Sequence, residues 1–303
     1  MLVGRSPVNN EVSQRDRVLY AGGEDGMLHA FFVSPWDAAS SDFLQDDSEA
    51  GAELWAYLPG SFLPHLKGQP LDDDPGALAI HLDGPPVVRE LFLDLDGDGL
   101  YLWHTLLVAT GTLVQSRRSN LLVLDITDPY QPELLWETLL PGNEIGRTRG
   151  VTIDRCGSVA ETRDCIYLTA DSVGGDSPAA IHALALSLGS GQLLWQCTAP
   201  YPISGAVAEA TPAVPALMDL NGDQRSDTLV FSDLVGRLWA LDLVDGRAHG
   251  DAPVYVVPGA AAEPIGAGVA IDDRLAIFGS GGVEGATANL PSALYAVDIL
   301  LCV

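Results

Sequence analysis

Positive charge is scarce in this sequence. Its 303 residues include 15 Lys and Arg residues against 41 Asp and Glu residues, which gives a formal net charge of -26 at pH 7. Lys67 is the only lysine. Because a surface of this sign repels polyphosphate backbones, we expect no nucleic acid partner. Part of the charge keeps the surface soluble, and divalent cations are candidates to neutralise the remainder.

Long apolar segments are also missing. No apolar run approaches the roughly 18 residues that a helix needs to cross a bilayer, so we expect no membrane span in this chain. The polar start, MLVGRSPVNNEVSQRDR, lacks the apolar core of a signal peptide. We therefore expect a soluble chain, with any export signal lying elsewhere.

Cysteine is rare, with four residues and no C-x-x-C or C-x-x-C-H motif. This disfavours zinc ribbons, thioredoxin chemistry and covalent haem. Cys156 and Cys165 bracket a short polar segment that is followed by the strand-like IYLTA, so we expect a disulfide that closes a hairpin. Such a bond implies an oxidising compartment. Cys197 and Cys302 are either a second pair or two buried thiols.

A repeat of strand-like segments organises the chain. One alternating apolar template occurs five times, as MLHAFFV (27–33), NLLVLDI (120–126), AIHALAL (180–186), RLWALDL (237–243) and ALYAVDI (293–299). Another apolar run precedes each copy of the template, and a strand with Trp follows three of the copies. A further strand lies upstream of the apolar run and the template copy. Four short strands per unit, without a helical period, predict an all-β fold: a β-propeller of four-stranded blades. A pair of β-sandwiches is the alternative.

We expect one propeller domain over residues 1–303, with five blade-like units. Long surface insertions are expected at about 34–52 and 59–84, where Asp, Gly and Pro are frequent. The first unit has only MLVGRSPV as its opening strand, and the last stops after its third strand. Because a ring must close to hide its edge strands, either the N-terminal strand completes the last blade or further blades lie outside this chain.

The connection between first and second strand differs from unit to unit. It is Asp-rich in DLDGDGLYLWHT and DLNGDQRSDT, contains the two cysteines in DRCGSVAETRDC, and is a short DDR in the last unit. We interpret these segments as one hairpin position that is closed in different ways.

The loop MDLNGDQRSD predicts a calcium site. Its oxygen donors stand at relative positions 1, 3, 5, 7 and 9: Asp219, Asn221, Asp223, the backbone carbonyl of Arg225, and Asp227. Calcium binds six to eight oxygen ligands, and alternating carboxylates in a tight turn converge on one point. The loop is not an EF-hand, since Gln224 is at position 6 and Val230 at position 12.

A second Asp-rich loop is a weaker metal candidate. It offers Asp94, Asp96 and Asp98 but no carboxylate at position 9. An ordinary Asp-Gly hairpin turn explains this segment as well.

The chain resembles the C-terminal propeller domain of the PilC/PilY family, large proteins associated with the tips of bacterial type IV pili. The resemblance covers most of the chain from about residue 18 and rests on VLYAGGEDGMLHAF, GAELWAYLPGSFLPHLK, DGPPVVRELFLD, LLVLDITDPYQPELLWE and DLNGDQRSD. It implies an exported protein of the pilus tip, cell surface or outer membrane. The implied partners are minor pilins or other tip proteins, and a host or abiotic surface.

The resemblance also implies roles in pilus assembly, in opposing retraction and in adhesion. In this family a nine-residue Asp/Asn loop binds calcium, and its positions match the oxygen donors of the loop that begins at Asp219. No Arg-Gly-Asp is present, only Arg225-Ser226-Asp227, so integrin binding is not implied.

An enzyme is the main rival class. The segment ALSLGSGQLLW (185–195) is similar to the tryptophan-docking motif of quinoprotein dehydrogenases, but that Trp packs between blades and so indicates architecture. The adjacent cysteine pair that often faces the quinone is absent. His29 and His182 lie in apolar strands and are expected to be structural. We therefore expect a non-enzymatic protein; the alternatives are a quinoprotein-like oxidoreductase and a calcium-independent outer-membrane assembly scaffold.

Overall fold

The computed structural model describes residues 1–6, 14–44, 48–66, 80–82, 84–95, 97–113, 116–140, 145–156, 163–172, 180–200, 213–233, 235–250, 253–258, 265, 268–281 and 293–302. The chain divides into two compact units, Met1–Leu140 and Pro141–Val303. The paired strands within each sheet are antiparallel, and each large sheet corresponds to one repeat of the sequence. We number these sheets as blades 1 to 5.

The first unit contains blades 1 and 2. Blade 1 has the order β1-β2-β3-β6, and a small β4-β5 hairpin follows β3. The strands are β1 (Leu2–Val3), β2 (Arg17–Gly22), β3 (Leu28–Ser34), β4 (Trp36–Asp37), β5 (Asp42–Phe43) and β6 (Glu53–Tyr57). A 3-10 turn (Gly60–Phe62) and a short helix (Leu63–Leu66) come next. The predicted opening strand of this unit is therefore present as β1.

Blade 2 has five strands because the second insertion contributes one. Its strands are β7 (Ile80–His81), β8 (Val87–Leu93), β9 (Leu102–Leu113), β10 (Arg118–Asp125) and β11 (Glu133–Leu139). The long β9 pairs with β8 along its first part and with β7 at its end. The sequence predicts four strands here and not β7, whose two residues are too few to form a recognisable pattern.

The second unit contains blades 3 to 5. Blade 3 comprises β12 (Val151–Cys156), β13 (Arg163–Asp171), β14 (Ala180–Ser187) and β15 (Leu193–Pro200). Blade 4 comprises β16 (Ala216–Met218), β17 (Thr228–Ser232), β18 (Arg237–Asp242) and β19 (Tyr255–Val256). Blade 5 has three described strands, as predicted, followed by a 3-10 turn: β20 (Ala270–Asp272), β21 (Leu275–Ser280), β22 (Ala293–Asp298) and Ile299–Leu301.

The middle strands of blades 3 and 4 are buried on both faces. Leu229 and Phe231 of β17 belong to one apolar cluster with Ile181 of β14, whereas Val230 belongs to another with Phe278 of β21. Successive side chains of a strand point to opposite faces, so β17 meets a neighbouring blade on each side. This double burial explains why the middle strands are apolar almost without interruption.

Tryptophans from the fourth strands contact the next blade. The indole N–H of Trp195 in β15 donates to the carbonyl of Leu243 in blade 4 over 2.9 Å. In the first unit, the indole N–H of Trp55 in β6 donates to the carbonyl of Pro129 in blade 2 over 2.8 Å. The docking-like motif that ends at Trp195 thus has a packing role in this structure.

Candidate metal-binding hairpin

The predicted common hairpin position is confirmed within blades 2 to 5. Residues 94–101 join β8 to β9, residues 219–227 join β16 to β17, and residues 273–274 join β20 to β21. The corresponding connection of blade 3, between β12 and β13, has its tip at 157–162 outside the described residues. In each blade this connection links the first and second strands of one antiparallel pair.

The expected disulfide closes the hairpin of blade 3. Cys156 in β12 is bonded to Cys165 in β13, and their Cα atoms are 5.7 Å apart. Both cysteines are buried. Cys197 and Cys302 are free thiols, and they pack in different apolar clusters. Burial raises the pKa of the Cys197 thiol.

The first carboxylate of the 219–227 loop organises the loop backbone. Asp219 Oδ1 accepts the backbone N–H groups of Gly222 over 2.7 Å and Asp223 over 3.1 Å. Its Oδ2 accepts the N–H of Gln224 over 2.6 Å. Because a carboxylate has about four lone-pair sites, these bonds leave acceptor capacity on Asp219.

Two further side chains continue the pattern along the loop. Asn221 Oδ1 accepts the N–H of Asp223 over 2.8 Å, and Asp223 Oδ1 accepts the N–H of Arg225 over 3.0 Å. Both are Asx turns, which hold a short segment in a fixed conformation. Asn221, Asp223 and Arg225 are exposed to solvent.

The last carboxylate closes the loop onto its start. Asp227 accepts the N–H of Leu220 over 3.0 Å and that of Asn221 over 3.1 Å. It also accepts the hydroxyl of Thr228 over 2.7 Å, and its own N–H donates to the carbonyl of Met218 over 3.0 Å. Positions 1 and 9 of the predicted site therefore both hold the backbone of the same turn.

The loop backbone has an EF-hand-like feature at position 6. Gln224 has φ of 69°, a left-handed conformation that is unusual for a residue with a side chain. In an EF-hand loop this position is an invariant glycine that allows a sharp turn. Gln224 departs from the calcium-loop pattern in residue type, yet its backbone makes the turn that glycine makes there.

The loop of blade 2 repeats the same local geometry. Asp94 accepts the N–H of Gly97 over 2.8 Å and that of Gly99 over 2.9 Å. These glycines have φ of 73° and 88°, at the offsets that Gly222 and Gln224 have from Asp219. Asp98 accepts the N–H of Leu100 over 2.7 Å. Asp96 lies outside the described residues.

The donor set of the 219–227 loop has the chemistry of a calcium site. Asp219, Asn221, Asp223 and Asp227 supply hard oxygen donors, and the carbonyl of Arg225 adds a backbone oxygen. Across the described ranges, no three His, Cys, Asp or Glu side chains converge as a metal-binding group. In this conformation the loop carboxylates accept backbone N–H groups and the backbone is already turned, so a cation would use the lone pairs that these bonds leave free.

The two histidines expected to be structural are hydrogen-bonded. His29 Nδ1 lies 2.6 Å from Glu53 Oε1, and its Nε2 lies 3.0 Å from Asp25 Oδ2. His182 is buried and bonds to the hydroxyls of Ser172 and Thr198. None of these contacts brings His29 or His182 next to the carboxylates of the 219–227 loop.

The known proteins that are similar to this chain agree with one another. No family model matches the chain. Type IV pilus biogenesis factor PilY1 of Pseudomonas aeruginosa is 29% identical over 246 residues, which are 80% of this chain and 18% of that protein. A PilY1 homolog of Xylella fastidiosa is 28% identical over 244 residues, which are 80% of this chain and 17% of the relative.

The crystal structure of the P. aeruginosa PilY1 C-terminal domain matches the fold with a TM-score of 0.64 and 24% identity, covering 95% of this chain and 58% of that one. The chain is a homologue of PilY1. The resemblance to the PilC/PilY C-terminal domain is confirmed, and so is the all-β propeller fold. The chain spans less than one fifth of the length of the PilY1 proteins it matches.

Some contacts of this PilY1 homologue were not predicted from the sequence. Ser226 of the Asp-rich loop donates to Asp154 of blade 3, and Glu137 of blade 2 accepts three hydrogen bonds from blade 1. Each joins residues more than 70 positions apart, so no local pattern marks them. Within the described ranges, no helix is long and apolar enough to span a bilayer.

Proposed function

We propose that this chain is a non-enzymatic, calcium-binding propeller of a type IV pilus biogenesis protein. The observation that carries the proposal is the similarity to PilY1 over 80% of the chain, together with the match to the fold of the PilY1 C-terminal domain. The relatives carry the name of pilus biogenesis factors. We extend that role to this chain, with roles in pilus assembly or retraction control and in surface adhesion.

The location and partners follow from the same similarity. We propose an exported protein at the pilus tip, cell surface or outer membrane, in contact with minor pilins or other tip proteins. The disulfide between Cys156 and Cys165 supports an oxidising compartment. The strongly acidic composition argues against nucleic acid as a partner.

Calcium is proposed at the loop that contains Asp219, Asn221, Asp223, Arg225 and Asp227. The support is the all-oxygen donor set at alternating positions and the left-handed turn at position 6. A bound cation would supply positive charge to a loop that contains three carboxylates. The ordered loop would then present a surface to a pilus partner, and the size of that effect is limited by the difference in cation affinity between its two states.

Isothermal titration of the full chain with calcium chloride tests the site. We expect binding by the wild type and a loss of more than about tenfold in affinity for Asp223→Ala, which corresponds to about 1.4 kcal/mol. Asp245→Ala is the matched control, because it removes the same charge from an exposed turn of the same blade. Equal binding by wild type and Asp223→Ala would contradict the site and favour a calcium-independent scaffold.

The blade 2 loop is proposed as a second, weaker calcium site at Asp94, Asp96 and Asp98. Its support is the repeated hydrogen-bond geometry around Asp94. Binding of about two calcium ions per wild-type chain, and of one per Asp94→Ala chain, would support this site. A stoichiometry of one in the wild type, lost in Asp223→Ala, would remove it.

The pilus role is tested in the bacterium that carries the gene. We expect Asp223→Ala or Asp227→Ala in the native protein to change piliation or twitching motility, with the Asp245→Ala strain unchanged. Motility that is the same in all strains would exclude a regulatory role for the loop. Deletion of the gene without loss of surface pili would contradict the wider proposal.

A further inference from the structure

The Asp-rich loop of blade 4 touches the disulfide-closed hairpin of blade 3. The hydroxyl of Ser226 donates to Asp154 Oδ2 over 2.6 Å. Both residues are half-buried, and they are 72 positions apart in the chain. The contact therefore joins the corresponding hairpins of two neighbouring blades.

Asp154 is held in place by its own hairpin. It lies in β12, where it is the register partner of Cys165 in β13. Cys165 forms the disulfide with Cys156, two residues beyond Asp154. The other carboxylate oxygen of Asp154 accepts the N–H of Arg155 over 2.8 Å. The acceptor that Ser226 meets is thus fixed by strand pairing, by a backbone hydrogen bond and by the nearby covalent bridge.

Ser226 stands between two proposed ligand positions. It follows Arg225, whose carbonyl is the donor at position 7, and precedes Asp227, the donor at position 9. The first half of the loop is held by the bonds to Asp219, which lie entirely within the loop. The bond to Asp154 instead fixes the second half against another blade.

We propose that Asp154 is a positioning residue for the 219–227 loop. Through Ser226 the disulfide-closed hairpin of blade 3 holds the second half of the loop in the shape that presents its oxygen donors. A loop already held in its binding conformation loses less conformational freedom on binding, so its affinity is higher. The effect on calcium affinity rests on the proposed calcium function, whereas the effect on the shape of the loop does not.

Two measurements on the full chain test this inference. Hydrogen–deuterium exchange of the loop amides is measured without calcium, and calcium affinity is measured by titration. The variants are Ser226→Ala, Asp154→Ala, the double variant of both, and Cys156→Ala/Cys165→Ala. Ser226→Ala removes the hydrogen bond without a change in charge, which separates positioning from simple attraction between Asp154 and a cation.

We expect Ser226→Ala and Asp154→Ala each to speed exchange in residues 220–227 and to weaken calcium binding by about 5- to 10-fold, the effect of one lost hydrogen bond. The double variant should be no worse than Asp154→Ala, because both changes remove the same contact. The cysteine variant should speed exchange in the same loop. Asp272→Ala, which removes an exposed carboxylate from the hairpin of blade 5, should leave the loop exchange unchanged.

Several outcomes would overturn the inference. Unchanged exchange and affinity in Ser226→Ala would do so, and so would a loss of affinity in Asp154→Ala alone, which would indicate an effect of charge only. If Asp272→Ala matches Asp154→Ala in both measurements, the effect is again general electrostatics. If the wild type binds no calcium but Ser226→Ala speeds loop exchange, the calcium function fails while the positioning role is supported.

Discussion

The indole ring of Trp195 in blade 3 packs against Gly246 in blade 4. A β carbon added to Gly246 would lie 2.5 Å from Cε3 of that ring. The same indole donates its N–H to the carbonyl of Leu243. Gly246 also has φ of 71°, in the left-handed region that favours glycine. Both space and backbone conformation therefore require glycine at this contact between blades.

Replacement of Gly246 by alanine tests this contact. We expect Gly246→Ala to lower the free energy of unfolding by about 2–4 kcal/mol, because it adds backbone strain to a steric clash. Urea denaturation measures the change. Gly189→Ala is the control, since nothing lies within 4 Å of the added carbon there. A control variant as unstable as Gly246→Ala would mean that the contact has no special importance.

The hydrogen bond of Trp195 can be separated from its packing. Trp195→Phe keeps an aromatic ring but leaves the Leu243 carbonyl without its donor, so we expect a loss of about 1–3 kcal/mol. Differential scanning calorimetry of the full chain should show a lower unfolding temperature. In the double variant with Gly246→Ala, we expect less than the sum of the two losses, because the smaller ring leaves room for the new methyl group. Additive losses would contradict direct contact between the two sites.

Glu137 makes an equally specific contact within the first unit. Its Oε2 accepts the hydroxyl of Tyr57 and the N–H of Gly60, each over 2.9 Å, and its Oε1 accepts the N–H of Ser61 over 2.8 Å. Burial, followed by the hydrogen bond and the charge of Glu137, raises the pKa of Tyr57. One carboxylate of blade 2 thus receives one donor from the last residue of β6 and two from the 3-10 turn that follows it.

Glu137→Gln should destabilise the protein by about 1–3 kcal/mol, because the amide nitrogen would face donors that need an acceptor. Urea denaturation followed by tryptophan fluorescence measures the loss. Glu133→Gln is the matched control, since Glu133 begins the same strand and is exposed, and it should change the stability by less than about 0.5 kcal/mol. Equal stability of the two variants would show that the three bonds contribute nothing net.

Local patterns were sufficient to predict the blades. The apolar template identified β3, β10, β14, β18 and β22, and the runs around each copy identified the other strands except the two-residue β4, β5, β7 and β19. The disulfide was predictable because Cys156 and Cys165 are close in sequence and flank a turn. These features depend on residues within about ten positions of each other, and periodicity and turn residues record such relationships.

The contacts between blades were not predictable in the same way. The partners of Glu137 and the pairing of Ser226 with Asp154 depend on how two sheets meet, which leaves no periodic trace in the sequence. The conformation of Gln224 was missed for a different reason. A residue with a side chain disfavours a positive φ, and only the bonds from the Gln224 N–H to Asp219 and from the Arg225 N–H to Asp223 show that the loop imposes this turn.

The pairing of His29 with two carboxylates predicts a pH dependence of stability in blade 1. Burial alone would lower the pKa of His29, but its hydrogen bonds to Glu53 and Asp25, with their charges, raise that pKa above the ordinary 6.5. Because the folded protein then holds a proton more tightly than the unfolded chain, this contribution to stability is complete below about pH 6.5. It is lost as the pH rises through the raised pKa of the folded state.

Comparison of the wild type with His29→Gln measures this contribution. We expect the difference in unfolding free energy between the two proteins to be largest near pH 6 and to shrink toward pH 8, because glutamine does not titrate. Urea denaturation at several pH values gives the difference, and an NMR titration of the His29 ring gives the pKa directly. A ring pKa at or below 6.5 in the folded protein, or a difference that grows toward pH 8, would show that the two carboxylates do not hold a proton on His29.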